Sequence, residues 1–314
     1  MMPSRQHSSQ AARRRANRRK YLLRRVAALG VVFVVGYGLV SLVGIAIGGD
    51  GPSRARAVPP STLLVVTNGS NPITAPPTTS TTSPPREPTV PTAENPARLL
   101  IAGDSDAGSF GPYLRTLMDQ TGLVATELDY KTSSGLARPD FFDWPAHFNT
   151  VVPEVQPDIV VVTFGGNDAQ GLSIADGTFI VNQPTGEGDE EWRTEYGRRV
   201  GATMDQLSAG GRTLIWVGIP NDDNPDVTAR MQVQDEVVKA EAAKRPHVVM
   251  IDTWKRFSGR NGGWAEYVID PRDGVGKDVR ADDGFHLNQT GAEILALDIA
   301  EAIRADLRAR GAKL

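Results

Sequence analysis

The sequence predicts a doubly wound α/β domain over residues 98–314, a three-layer α/β/α sandwich around a roughly five-stranded parallel sheet. Three observations carry this expectation. Short runs rich in β-branched residues recur five times, they are apolar at consecutive rather than alternate positions, and segments of helical periodicity separate them. A strand covered by helices on both faces needs that unbroken apolar pattern.

The five strand runs are Leu99–Ala102, Val124–Leu128, Ile159–Phe164, Leu214–Val217 and Val248–Ile251. Between them, Trp192, Tyr196, Val200, Met204 and Leu207 recur at spacings of three and four, as one face of a helix does. Ile294, Leu297, Ile299 or Ala300, and Ile303 repeat the pattern near the carboxyl end. Both stripes read as core. Strand and helix alternating without an internal repeat give one domain. In such sheets the ligand site lies beyond the carboxyl ends of the strands, and the unusual polar residues fall there.

Composition changes twice ahead of this domain. Residues 1–25 carry nine basic residues and no acid, and residues 26–48 carry no charge. An apolar run of 23 residues is long enough for a bilayer core of about 30 Å at a rise of about 1.5 Å per residue. Basic flanks stay cytoplasmic, so the pattern predicts a single-pass signal-anchor in the cell membrane, with the domain outside the cytoplasm. A cleaved signal peptide is the competing reading, with Ala46 and Gly48, or Ala55 and Ala57, as cleavage signals. Its apolar region is usually only about 7–15 residues, which favours the anchor. Residues 49–97 are crowded with Pro, Thr and Ser and read as a disordered linker, because such a stretch lacks the apolar content to offset ordering entropy.

Residues 1–97 hold 12 of the 34 basic and 3 of the 37 acidic residues, which leaves 22 and 34, a net charge of −12, for residues 98–314. A clearly acidic domain is a poor partner for nucleic acid. The basic amino-terminal run reads instead as a topology signal or a contact to anionic lipid. With no cysteine in the chain, disulfides, thiolate catalysis and zinc-thiolate sites are excluded. No cofactor or metal is expected, and the domain reads as a monomer.

Three polar turns could carry chemistry. Ser105 follows the first strand in Gly103-Asp104-Ser105-Asp106 and precedes a helix-like Phe110–Met118, where helix N–H groups would face a developing oxyanion. A serine capping that helix would look the same. Asn167 sits in Gly165-Gly166-Asn167-Asp168 after the third strand, where its amide could donate to an oxyanion or cap the turn. Of the four histidines, His7 is in the tail, His147 falls in a predicted helix and His247 opens a strand. His286 alone stands in a loop with a carboxylate, Asp283, three residues earlier. A nucleophilic serine needs a base, and the base an orienting group.

Taken in order, Gly103-Asp104-Ser105, a lone glycine after the second strand, Gly165-Gly166-Asn167-Asp168 and Asp283-Gly284-Phe285-His286 resemble the four blocks of the SGNH (GDSL-like) hydrolases across nearly all of residues 98–314. The resemblance implies a flavodoxin-like SGNH fold, Ser105 as nucleophile, His286 as general base and Asp283 as its orienter. It also implies an oxyanion hole from the Ser105 N–H, a glycine N–H and the Asn167 amide. Gly135, in the short loop after the second strand, is chosen as that glycine. Two departures stand out: Asp106 replaces the Leu of many members, and residues 171–191 form a polar insertion that reads as a hairpin rather than a lid. Residues 136–144, with Arg138, Phe141, Phe142 and Trp144, resemble a bacterial extracytoplasmic SGNH subgroup of unknown function. Their aromatics read as packing, with Arg138 a candidate substrate contact.

The expected function is an extracytoplasmic serine esterase acting on an O-acyl, chiefly O-acetyl, ester of a cell-envelope glycan or a small ester. The alternatives are an O-acyltransferase using the same triad and a non-catalytic tethered domain that binds glycan or protein. An α/β-hydrolase elbow, Gly-x-Ser-x-Gly, is absent. A metal-dependent phosphoesterase built on Asp104, Asn167, Asp283 and His286 would want more histidine.

Overall fold

A computed structural model describes residues 89–314. The basic tail, the apolar run predicted to span a membrane and most of the linker lie outside the described residues. Among the described residues no helix is long and apolar enough to cross a membrane.

The five predicted strands are present as β1 (Ala97–Gly103), β2 (Val124–Tyr130), β3 (Ile159–Thr163), β6 (Thr213–Val217) and β7 (Val248–Ile251). They form one sheet in the order β2-β1-β3-β6-β7, with every pairing parallel. Strand β1 begins inside the predicted linker, because Ala97 is buried, pairs with Val124 and donates its N–H to Leu123 O.

The helices that cover the sheet are α1 (Ser105–Asp119), α2 (Trp144–Val155), α3 (Glu190–Ser208), α4 (Pro225–Ala243) and α6 (Gln289–Ala309), with a single turn, α5, at Thr253–Arg256. Side chains alternate between the two faces of a strand, so the central strands β1, β3 and β6 each feed two cores. Leu99, Ile101, Ile159, Val161, Ile215 and Val217 pack with residues of α1 and α6 on one side. Leu100, Ala102, Val160, Val162, Leu214 and Trp216 pack with α2, α3 and α4 on the other. The first stripe faces the second core with Trp192, Tyr196, Val200, Met204 and Leu207, and the carboxyl-terminal stripe faces the first with Ile294, Ile299, Ala300 and Ile303, while Leu297 is only half-buried and belongs to neither. Trp144, Phe148, Phe164 and Trp216 continue the second core as a chain of edge-on and tilted rings 5.2–5.7 Å apart. The aromatics of residues 136–144 are therefore mostly packing, with Phe141 the exposed exception.

Two short hairpins hang from this frame. The insertion at residues 171–191 forms one of them, with β4 (Leu172–Ser173) antiparallel to β5 (Phe179–Val181). The other pairs β8 (Tyr267–Ile269) with β9 (Gly276–Asp278) just ahead of the Asp283–His286 loop.

The chain leaves β1 towards β2 on one side and reaches β3 on the other, so the strand order reverses between β1 and β3. A crevice opens at such a switch point. Register sets Gly103 opposite Thr163, which brings the ends of these two strands level. Gly103 has φ +143°, and a Cβ there would lie 2.1 Å from Thr163 O. Glycine alone lets β1 turn into α1 so close to β3.

Candidate active site

Ser105 opens α1, two residues beyond the end of β1. Helix α1 starts there, five residues ahead of the predicted Phe110, because Asp104 caps it: its Oδ1 accepts the Asp106 N–H at 3.0 Å. Asp104 also joins β1 to the turn after β3. Its Oδ2 accepts the Gly165 N–H at 2.7 Å and an amide N–H of Asn167 at 3.0 Å. The Asn167 amide is thereby oriented, and its second N–H is left for another acceptor. Asp104 is wholly buried. Burial, then the charge of Asp106, push its carboxyl well above the usual range, while the three N–H donors pull the other way.

His286 reaches the same point from the loop before α6. Its Nε2 lies 3.0 Å from Ser105 Oγ, and its Nδ1 lies 2.6 Å from Asp283 Oδ2. These partners assign the neutral tautomer, with Nδ1–H donating to Asp283 and Nε2 accepting from the serine. Asp283 Oδ1 accepts the N–H groups of Phe285 and His286 at 3.1 and 3.0 Å. Burial raises the Asp283 carboxyl, but the bond from the His286 ring, the positive charge that ring carries when protonated and these two N–H groups outweigh it and hold Asp283 below its ordinary value. Asp283 therefore stays an anion beside the ring.

Gly135 is buried in the loop after β2. The loop is clamped by Asp168, the residue after Asn167: Asp168 Oδ2 accepts the Leu136 N–H at 2.8 Å and Oδ1 the Ala137 N–H at 2.9 Å. A Cβ at Gly135 would fall 1.9 Å from Asp168 Oδ1, so this contact requires glycine. Tyr196, read from the sequence as core, is buried yet donates its hydroxyl to Asp168 at 2.8 Å. Gln234 bonds Phe164 O, Gly165 O and the Tyr196 hydroxyl, which ties α3 and α4 to the same turn. Arg199 holds Leu136 O, Ala137 O and Ser173 O.

Sequence reading named Asp168 only as part of a block and gave it no role, although an acid beside a candidate oxyanion donor was a usable signal. Arg280 carried no local signal at all. It is 4% exposed and donates to Ala265 O, Asn221 O, Asn221 Oδ1, Phe257 O and Phe285 O. It thus fastens the residue before His286 to three other segments. Arg138 pairs with Asp140 at 2.6–2.8 Å and lies 4.7 Å over the Phe179 ring of the β4–β5 hairpin. His147 faces Asp129 at 2.5 Å, away from the triad by sequence and by partner.

Buried acids give this domain a signed pH response. Burial lifts Asp106 to about 7 and Asp168 to about 6, above the unfolded value of about 3.9. The folded state then binds the extra protons. Its stability is full below pH about 4 and declines as pH rises through about 6 to 7, by an amount on the order of a few kcal/mol. Asp270, held by Arg272 at about 2, acts oppositely and only in acid. Urea midpoints measured across pH are therefore expected to peak near pH 4 and to fall from there to about pH 7. A midpoint that rises over that interval contradicts the burial of these carboxyls.

No curated protein matches the chain. Among solved structures it is similar to a candidate SGNH hydrolase from Slackia heliotrinireducens, at 19% identity and TM-score 0.43, over 67% of this chain and all of that one. It is similar to a GDSL-like lipase from Bacteroides thetaiotaomicron, at 16% identity and TM-score 0.45, over 69% and 92% of the two chains. A variant of an acetyl-xylooligosaccharide esterase from Geobacillus Stearmophilus is similar at 16% identity and TM-score 0.46, over 66% and 94%. Residues 98–302 match the family model described as "Protein of unknown function (DUF459)", and the chain belongs to that family.

Proposed function

We propose that this protein is an SGNH-type serine esterase that cleaves or transfers an O-acyl group through an acyl-enzyme on Ser105. The observation that carries the reading is the continuous hydrogen-bonded chain from Ser105 Oγ through His286 to Asp283. Nucleophile, base and orienter meet from two loops separated by 181 residues, an arrangement that capping or packing alone does not require.

In the proposed mechanism the Ser105 hydroxyl attacks the ester carbonyl carbon and gives its proton to His286 Nε2. Asp283 holds the imidazole in place and offsets the charge of the imidazolium. The carbonyl oxygen becomes an oxyanion, for which the Ser105 N–H, the Gly135 N–H and the second Asn167 amide N–H are the proposed donors. The Asp106 N–H is already taken by Asp104, whereas the Ser105 N–H stands at the helix start, where intrahelical partners are lacking. Collapse expels the alcohol, which leaves with the proton from His286. Water or a second alcohol, deprotonated by His286, then attacks the acyl-Ser105 ester and restores the serine. Asp104 meets three N–H donors, the partners of an anionic acceptor rather than of a metal ion.

Replacing Ser105 by Ala is expected to lower turnover of p-nitrophenyl acetate by a factor on the order of 10⁴ or more, with Asp283→Asn less damaging. Hydrolysis by Ser105→Ala at the wild-type rate contradicts the mechanism.

The same proposal puts the domain outside the cytoplasm, anchored by residues 26–48 and spaced by residues 49–97. What supports it is the uncharged run behind nine basic residues. A linker of 49 residues gives a mean reach of roughly 40 Å, among polymers of the cell envelope, so the proposed substrate is an O-acylated envelope glycan. A periplasm-active or surface-active reporter fused after Leu314 is expected to work. The O-acyl content of envelope polysaccharide from cells carrying Ser105→Ala is expected to rise for an esterase and to fall for a transferase. An inactive reporter sinks the topology, and unchanged acylation sinks the glycan.

A further inference from the structure

The residue after the nucleophile is a buried acid in an apolar setting. Asp106 is 8% exposed and lines a small cavity with Phe110, Thr163, Val217, Leu287 and Leu295. Its Oδ2 is buried without a hydrogen-bond partner, and so is Thr163 Oγ1 on the same cavity. Buried carboxylates are normally met by N–H donors or a cation, since the unpaired charge is costly.

The charged groups that act on Asp106 are Asp104 in the same turn, Asp283 in the loop of His286, and Arg280. None neutralises it by contact. A guanidinium has five N–H groups, and Arg280 spends all five on Ala265 O, Asn221 O, Phe285 O, Asn221 Oδ1 and Phe257 O. The residues that close the cavity from β3, the β6 end and α6 are uncharged. Asp104 makes matters worse: a Cβ at Gly165 would lie 2.4 Å from Asp106 Oδ2 and 2.8 Å from Asp104 Oδ2, so the two carboxyl oxygens converge over one glycine. Two carboxylates that close cannot both be anions in a dry site. Asp104 has three donors to hold its charge and Asp106 Oδ2 has none.

We infer that Asp106 is a neutral carboxylic acid in the working enzyme and a positioning residue whose ionisation sets the alkaline limit of activity. Protonated, it adds no second charge beside Asp104 and leaves the Asp283 anion undisturbed. Ionised, it sets a third anion in the first turn of α1, where the reaction builds an oxyanion, and it repels Asp283. Burial is the main cause of its raised affinity for the proton, followed by the charge of Asp283, against which Arg280 acts at longer range. The kinetic consequence rests on the serine-esterase reading given above; the protonation state does not.

The test is infrared difference spectroscopy of the full chain between about pH 5 and about pH 9, with Asp106→Asn and Asp106→Leu as variants. Wild-type protein is expected to show the carbonyl band of a protonated acid that disappears with a midpoint near 7. Both variants are expected to lack it. With p-nitrophenyl acetate, kcat/KM of the wild type is expected to decline with the same midpoint, while the variants hold their rate to higher pH. Asp168, lifted to about 6, keeps its own band in every variant; a component with a midpoint near 7 that survives both substitutions, or pH profiles that superimpose on the wild type, overturns the inference. The band is read in unreacted protein, so its absence counts against a protonated Asp106 and leaves the serine mechanism standing.

Discussion

The carboxyl group of Asp104 accepts one N–H from the turn it caps, one from the backbone of Gly165 and one from the side chain of Asn167. These three bonds join the carboxyl ends of β1 and β3, the two strands between which the sheet reverses its order. Ser105 follows Asp104 directly, so the tie places the hydroxyl at the mouth of the crevice. It also turns the Asn167 amide so that an N–H remains free. Placement of Gly135 is one step further removed: Asp168, next to Asn167, holds the backbone of Leu136 and Ala137. A tie made of buried charge is costly unless its donors are complete, so such a site has to be built whole.

The other half of the site depends on the sheet's opposite neighbour, the loop between β9 and α6. Arg280 makes five bonds to neutral oxygens there, and its buried charge sits among Asp106, Asp222, Asp223 and Asp283. Burial pulls its proton affinity down to about 10, and the surrounding acids push back. That guanidinium is both the mechanical fastening of Phe285, hence of His286, and a positive charge under an acidic surface.

Much of this was legible in the sequence, and for identifiable reasons. A strand buried on both faces must be apolar at every position, which marks the central strands β1, β3 and β6; the edge strands β2 and β7 are partly exposed, and β2 carries Glu127 and Asp129, while β4 and β8, with two and three residues, are too short to leave a period. Ser105, Asp283 and His286, which the structure brings together, were readable because each lies in a turn at a strand or helix end, where few residue types serve. Asp283 and His286 are local to one another, and Ser105 stands two residues after Gly103, the glycine that the β1–α1 turn requires. What the sequence concealed are the partners drawn from afar. Tyr196 sits on a helical stripe and looks apolar by position, yet its hydroxyl ends on Asp168. The acceptors of Arg280 lie at residues 221, 257, 265 and 285, and no local pattern announces a side chain whose partners are assembled only by folding.

The account stands on Ser105 being a nucleophile that His286 activates. Its most direct measurement is intact-mass and peptide mapping of the folded chain after exposure to a fluorophosphonate, which reacts with an activated serine and not with a capping one. The account predicts a single adduct on Ser105, formed in the wild type and abolished in His286→Ala. No adduct, or an adduct on Ser105 that forms equally fast without His286, would contradict it.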